Sequence, residues 1–217
     1  LLANLFLHYA FDVWMRKNNP QIQFERFADD VVCHCRSEAQ SQRLRTEIER
    51  RFAQCKLELH PQKTKIVYCK DEDRRGSHPH EQFDFLGFTF RPRQSRNRRG
   101  KLFVNFSPAV SNKAQKSMRG TIREWRVHQR SEKCLEDLAR MCNPVMRGWI
   151  NYFKSYCRSA IRPTLDHLDR ILVRWAMRKY KKLKKHQRRA CQWLKRIQLK
   201  QPGLFVHWQF LHAGAGR

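Results

Sequence analysis

Gln23-Phe24-Glu25-Arg26-Phe27-Ala28-Asp29-Asp30-Val31-Val32-Cys33-His34-Cys35 is the stretch on which the reading of this chain turns. It alternates and is rich in Phe, Val and Cys, which predicts two strands meeting at a turn that contains Ala28-Asp29-Asp30. Asp29 and Asp30 are adjacent carboxylates set between apolar runs, with Phe24, Phe27, Ala28, Val31 and Val32 around them. Two anions there are poorly solvated unless a cation compensates. Mg²⁺ prefers carboxylate oxygens and keeps positions open for phosphate. Two-metal phosphoryl transfer uses such acids: one ion activates an attacking hydroxyl and the other steadies the leaving pyrophosphate. A plain polar Asp-Asp turn is the alternative.

Around this segment lies a strongly basic chain. Its 217 residues carry 46 Lys+Arg against 19 Asp+Glu, a formal net charge of +27. Hydrophobic residues make up 41%, enough for a real core, which argues against whole-chain disorder. So much charge repels itself unless a polyanion shares it, so nucleic acid is the leading partner class and an anionic membrane the second. No apolar run reaches about 18 residues, so no spanning helix is expected. The aromatics are spread along the chain rather than gathered on one basic amphipathic helix, so no membrane partner is expected. Leu1–Trp14 begins mid-pattern without a cleavage signal, which reads as a chain cut from something longer. Eight Cys are present and none forms a CxxC. On a strand, Cys33 and Cys35 share one face and His34 takes the other, so the three cannot close a metal tetrahedron. Reduced thiols in a cytoplasmic protein, in a bacterial cytosol or nucleoid, are the expectation.

Leu1–Met15 has a helical stripe at Leu5, Tyr9 (or His8) and Val13. Ser37 with Gln40 predicts a capped helix running to about Cys55, with Leu44, Ile48, Phe52 and Cys55 inward. Leu57 and Leu59 alternate as a short strand, Pro61–Lys65 is a turn, and Ile66–Cys69 is strand-like. Asp71–His80 is a polar loop. Phe83–Phe90 and Lys101–Phe106 predict two strands joined by a loop over Arg91–Gly100. Six basic residues and no acid fall between Arg91 and Lys101. Composition shifts at Ser107-Pro108, which predicts a domain boundary: residues 1–107, then residues 108–217, all helical. Helical stripes follow at Ala114, Met118, Ile122 and Trp125, then at Leu135 and Leu138. Pro144 and Pro163 are each expected to open a helix. The latter carries Leu165, Leu168, Leu172 and Trp175, and a last helix carries Ala190, Trp193, Leu194 and Ile197. Arg162–Lys200 holds fourteen Lys/Arg and two acids.

Four ordered blocks resemble a known family. Phe27-Ala28-Asp29-Asp30 resembles the Tyr/Phe-Ala-Asp-Asp box of reverse transcriptases. Leu57-Glu58-Leu59-His60-Pro61-Gln62-Lys63-Thr64 and Phe83-Asp84-Phe85-Leu86-Gly87-Phe88 resemble the two blocks that follow it. Asn143-Pro144-Val145-Met146-Arg147-Gly148-Trp149-Ile150-Asn151-Tyr152-Phe153 resembles the signature of the maturase domain of group II intron-encoded proteins. Arg174-Trp175 through Lys179-Tyr180 is similar to that domain's later segment. The resemblance implies an α+β protein: the C-terminal part of a reverse-transcriptase palm, then a helical thumb/maturase domain. It implies RNA-directed DNA synthesis from an RNA template, a DNA primer and dNTPs, with Mg²⁺, and binding of a group II intron RNA to promote splicing. The family's third catalytic Asp and its Pro-Gln-Gly block do not occur in these residues, nor does a His-Asn-His pattern. The chain is therefore expected to start inside the palm, without the fingers, and to be inactive alone. A non-catalytic RNA-binding splicing factor, or a degenerate remnant, is the alternative.

The resemblance implies Asp29 as a direct Mg²⁺ ligand and Asp30 as a second, more indirect one. Lys63 is placed near phosphate or nucleotide, against the plain reading of a solvated turn lysine. Leu86 and Gly87 are placed under the primer end, where Gly lets a backbone approach closely; a strand bulge explains the same residues. Trp149, Tyr152, Phe153 and Trp175 have helical spacing and read mainly as core. Arg147 and Lys154 lie on the other side of that helix and are candidates for RNA. Lys179, Lys181, Lys182, Lys184, Lys185, Arg188 and Arg189 have too few acids nearby to pair with, so phosphate binding accounts for them better than a salt-bridged face.

Overall fold

A computed structural model describes residues 1–74 and 76–212 and shows an α+β chain with two compact units, Leu1–Phe85 and Leu86–Arg217. The first unit opens with helix α1 (Leu2–Leu7), a π-helical segment (His8–Val13) and α2 (Trp14–Asn18). The helical stripe of Leu5, Tyr9 and Val13 faces out, at 53%, 64% and 40% exposed, while Ala10, Phe11 and Met15 are buried. This segment is apolar on more than one side, so periodicity does not choose the face. Packing does: the Phe11 ring meets Phe24 at 5.1 Å and Phe52 at 6.1 Å, both edge-on. The wide π turn loosens local pairing, and Arg51 Nε donates to the Ala10 carbonyl there at 3.1 Å.

Strands β1 (Gln23–Phe27) and β2 (Asp30–His34) pair antiparallel, with Phe27 opposite Asp30, so Ala28-Asp29 is a two-residue turn. Helix α3 (Glu38–Gln54) starts as expected, with Ser37 Oγ accepting from the Gln40 amide. Leu44 and Ile48 join Phe11, Met15 and Ile22 in the core of this unit. The strands expected at Leu57–Leu59 and Ile66–Cys69 are absent among the described residues. Their amides bond singly instead, Leu57 N to Phe52 O and Tyr68 N to His80 O, both at 2.8 Å. A strand needs a ladder partner as well as alternation. Strand β3 (Phe83–Phe85) ends this unit.

In the second unit, β4 (Phe88–Arg96) and β5 (Leu102–Val110) form an antiparallel ribbon. Most of the expected loop Arg91–Gly100 is therefore strand. The actual turn lies at Asn97–Lys101, where Asn97 Oδ1 accepts from the Arg99 and Lys101 amides, both at 2.9 Å. The compact units part between Phe85 and Leu86, not at Ser107-Pro108, because Phe88 and Val110 are buried in the same core as the helices. Helix α4 (Asn112–Glu124) is capped by Ser111 and buries Met118 and Ile122. Helix α5 (Leu135–Phe153) runs straight through Pro144, and α6 (Arg158–Lys179) runs through Pro163, so neither proline opens a helix. Each ring removes one N–H from the helix. Core residues on either side hold the helix regardless: Leu138, Cys142, Met146 and Ile150 in α5, and Ile161, Leu165, Leu168 and Leu172 in α6. Helix α7 (Gln187–Lys200) buries Ala190 and Leu194, and α8 (Val206–His212) buries Trp208. No described helix is long and apolar enough to cross a membrane.

Candidate functional site

The acidic turn is built from strain and one arginine. Ala28 has φ 55, in the left-handed region that a residue with a Cβ rarely adopts. Such conformations cost about 1–3 kcal/mol and persist where the surroundings impose them. Arg26 does so here. Its Nη1 donates to the Ala28 carbonyl at 2.8 Å, while Nε and Nη2 grip the two oxygens of Asp12 at 2.7 Å each. Asp12 is buried in the π-helical segment, and the hydrogen bonds from Arg26 hold its carboxyl below the usual carboxylate range. A two-pronged charged pair of this kind is among the stronger polar contacts. Arg26 and Asp12, which sequence reading did not single out, thus tie the turn to the helix. An Arg directly before the Phe-Ala-Asp-Asp box was the available signal.

Asp29 and Asp30 are both exposed at this turn. Among the described residues no Lys, Arg or His nitrogen lies within 4.0 Å of either carboxylate. No set of three or more His, Cys, Asp or Glu side chains gathers to hold a metal among those residues, so the turn offers two carboxylates and no third. Cys33, on β2, is desolvated, and burial pushes its thiol up to about 12. Lys63 is exposed in the turn after His60, whose carbonyl accepts from the Lys63 and Thr64 amides.

In the second unit, Leu86 (φ 49) and Gly87 (φ 77) form a two-residue turn with both φ values positive, not a bulge. Leu86 is strained as Ala28 is, and Tyr152 Oη donates to its carbonyl at 2.9 Å. The Gly87 carbonyl accepts from the Ser111 amide at 2.9 Å. Tyr152 is 52% exposed; Phe153 and Trp175 are buried, and Trp149 is half-buried, stacked on Trp125. Tyr152 is thus a surface tether and the other three are packing residues.

The basic candidates separate into free and committed side chains. Arg147 is exposed on α5, and Lys154, exposed just past its end, donates Nζ–H to Asn151 Oδ1 at 3.0 Å. Lys154 lines a shallow cavity of about 460 Å³ with Ile150, Arg158, Val206, Gln209 and Phe210. Lys179 Nζ is committed, donating to the carbonyls of Ser131 (2.9 Å) and Lys133 (2.6 Å). Lys181, Lys182, Lys184, Lys185, Arg188 and Arg189 are all exposed. They do not share one helix: a 3₁₀ turn (Lys181–Leu183) is followed by Lys185 with φ 62, and α7 starts only at Gln187. Leu183 and Ala190 are the buried anchors that leave the six cations outward.

Comparison with known proteins adds two matches in chain order. Residues 1–90 match the family model for reverse transcriptase (RNA-dependent DNA polymerase). Residues 115–193 match that for the maturase-specific domain of group II introns. No curated protein matches the chain. The first match holds the strained Ala28-Asp29 turn and the second spans α5 and α6 with their prolines. The two matches, in this order on one chain, support a fragment of a group II intron-encoded reverse transcriptase/maturase.

Proposed function

We propose that Asp29 and Asp30 hold Mg²⁺ in RNA-directed DNA synthesis, and that Leu86–Arg217 binds the phosphates of a group II intron RNA in the cytoplasm. The observation that supports it most directly is an acid pair without a cationic partner among the described residues, in a chain of 46 Lys+Arg. Exposed, adjacent carboxylates on a held turn fit a hard divalent cation. Asp29 and Asp30 would hold the ions of a two-metal site, which would supply Lewis-acid activation of a primer hydroxyl and charge stabilisation of the leaving pyrophosphate. The chain's own part is to aim the carboxylates: β1 and β2 set the turn and Arg26 fixes Ala28. Lys63 contacts template, primer or nucleotide phosphate, and the Leu86-Gly87 turn supports the primer end. Arg147, Lys154 and the Lys181–Arg189 run meet RNA phosphates. With two carboxylates and no third, the 217-residue chain is inactive by itself. That same count favours a second reading, a non-catalytic RNA-binding splicing protein.

The test is a Mn²⁺ titration followed by NMR. The amides of Ala28–Asp30 broaden first, and Asp29→Ala abolishes that broadening while leaving RNA binding unchanged. Broadening that starts elsewhere overturns the metal assignment and leaves the splicing-protein reading. Primer extension by the isolated chain overturns its inactivity.

A further inference from the structure

Helices α4 and α6 pack against each other, and each carries arginines without a carboxylate partner among the described residues, although Arg119 Nε donates to the Gln115 carbonyl at 3.2 Å. Arg119 and Arg123 are one turn apart on α4. On α6, His167, Arg170 and Arg174 follow at spacings of three and four, which puts them on one face. Among the described residues no carboxylate lies within 4.0 Å of any of the four guanidiniums. Both acids of α6 are engaged elsewhere. Asp166 faces Arg162 at 4.0 Å, and Asp169 accepts from His207 Nε2 (2.9 Å), Trp208 Nε1 (2.8 Å) and Gln198. His167 Nε2 is buried without a hydrogen-bond partner, a cost that native structures usually avoid or explain. Burial first, then the charges of Arg170, Arg123, Arg119 and Arg174, push this imidazole below its ordinary pKa. All four arginines thus act electrostatically on this one imidazole. Beside Arg119, Gly120 leaves open space: an added Cβ would meet nothing within 4 Å. A glycine inside a helix weakens it and lets another backbone approach.

We infer that Arg119, Arg123, Arg170 and Arg174, grouped around His167, form a second RNA site that grips the phosphodiester backbone across α4 and α6. The inference rests on the reading of this unit as an RNA binder and deepens it. Guanidinium forks match phosphate oxygens two at a time, which lysines do not. Residues one turn apart lie about 5.4 Å apart along the helix, close to the step between neighbouring phosphates on one strand. No base reading is implied, so the site orients the RNA and does not select its sequence.

The full chain is tested by filter binding to one structured intron RNA and one unrelated RNA across a salt series. Arg123→Glu with Arg174→Glu should weaken both RNAs at least tenfold and flatten the salt slope by about two. Arg123→Gln with Arg174→Gln should do so more mildly, and circular dichroism checks that both variants are folded. The four-lysine reversal at Lys181, Lys182, Lys184 and Lys185 is the separate control. If it weakens RNA and a folded Arg123/Arg174 variant binds like wild type, this inference fails alone. If neither pair of changes matters, the RNA reading itself fails. A second readout is the pH titration of the His167 imidazole by NMR. A short RNA duplex should move it to higher pH by neutralising the guanidiniums, and an unmoved titration under saturating RNA overturns the site. Loss of affinity for phosphatidylserine vesicles in place of RNA overturns it in favour of a membrane surface.

Discussion

Leu1–Phe85 holds 14 Lys/Arg against 13 Asp/Glu, and Leu86–Arg217 holds 32 against 6, so +26 of the net +27 sits in the second unit. In the first unit charge is matched by specific geometry: Arg26 with Asp12, and Arg45 with Glu49. Asp29 and Asp30 are adjacent acids of that unit with no cationic nitrogen within 4.0 Å among the described residues. In the second unit the excess is the rule and the few pairings are structural, such as Asp169 with His207 and Trp208, or Lys179 with two carbonyls. A local imbalance of one sign points to a small cation; a surface-wide imbalance of the other points to a polyanion.

The strongest way to break this contrast is to reverse Lys181, Lys182, Lys184 and Lys185 together. RNA affinity should fall on the order of a hundredfold at moderate salt, equally for cognate and unrelated RNA. Wild-type affinity in filter binding would remove the polyanion from the argument. Next is Asp12→Asn, which leaves Arg26 half-paired in a mostly buried place and should destabilise the first unit by about 2–3 kcal/mol at pH 7. The sign with pH follows from the lowered Asp12 pKa. The pair's contribution is complete above the unfolded carboxylate value, about 3.9, and is lost as pH falls through the lower folded value. Urea melts of wild type and Asp12→Asn should therefore converge in acid; a gap that persists there would show that Asp12 acts through packing.

Two smaller effects compare the turns. Ala28→Gly and Leu86→Gly each relieve a left-handed residue, and each should change stability by no more than about 1 kcal/mol toward stabilisation, less the extra freedom of the unfolded chain. Clear destabilisation at either site would mean that the side chain packs more than the turn strains. The smallest is Gly120→Ala, whose methyl meets open space. It should stabilise α4 by several tenths of a kcal/mol, and thermal melts that show a loss would reveal a contact at that position.

The division into acidic turn and basic helices was legible because it rests on residue type and short-range spacing. The β1–β2 turn, the α3 cap at Ser37 and the stripes Met118/Ile122 and Leu165/Leu168/Leu172 follow from alternation and helical period, and all fall where expected. The errors share a physical cause. Pro144 and Pro163 have strong local preferences that lie below the burial holding α5 and α6, so tertiary packing overrode them. In α1–α2 several faces are apolar, so period alone does not say which one is buried. Arg91–Gly100 reads as loop because loops carry charge, but an exposed strand such as β4 carries charge too.

By itself the sequence determined the ordered blocks, the net charge, the helical second half and the identity of the two carboxylates. Those properties are carried by local chemistry and need no partner in space. Only the tertiary structure decided that Arg26 and Asp12 hold Ala28 in the left-handed region and that Lys179 is spent on carbonyls. It alone decided that the ribbon β4–β5 shares the helical core and that four arginines from α4 and α6 act on one half-buried imidazole. Each depends on residues far apart in the chain meeting at a few ångströms, a distance that pattern and composition do not encode.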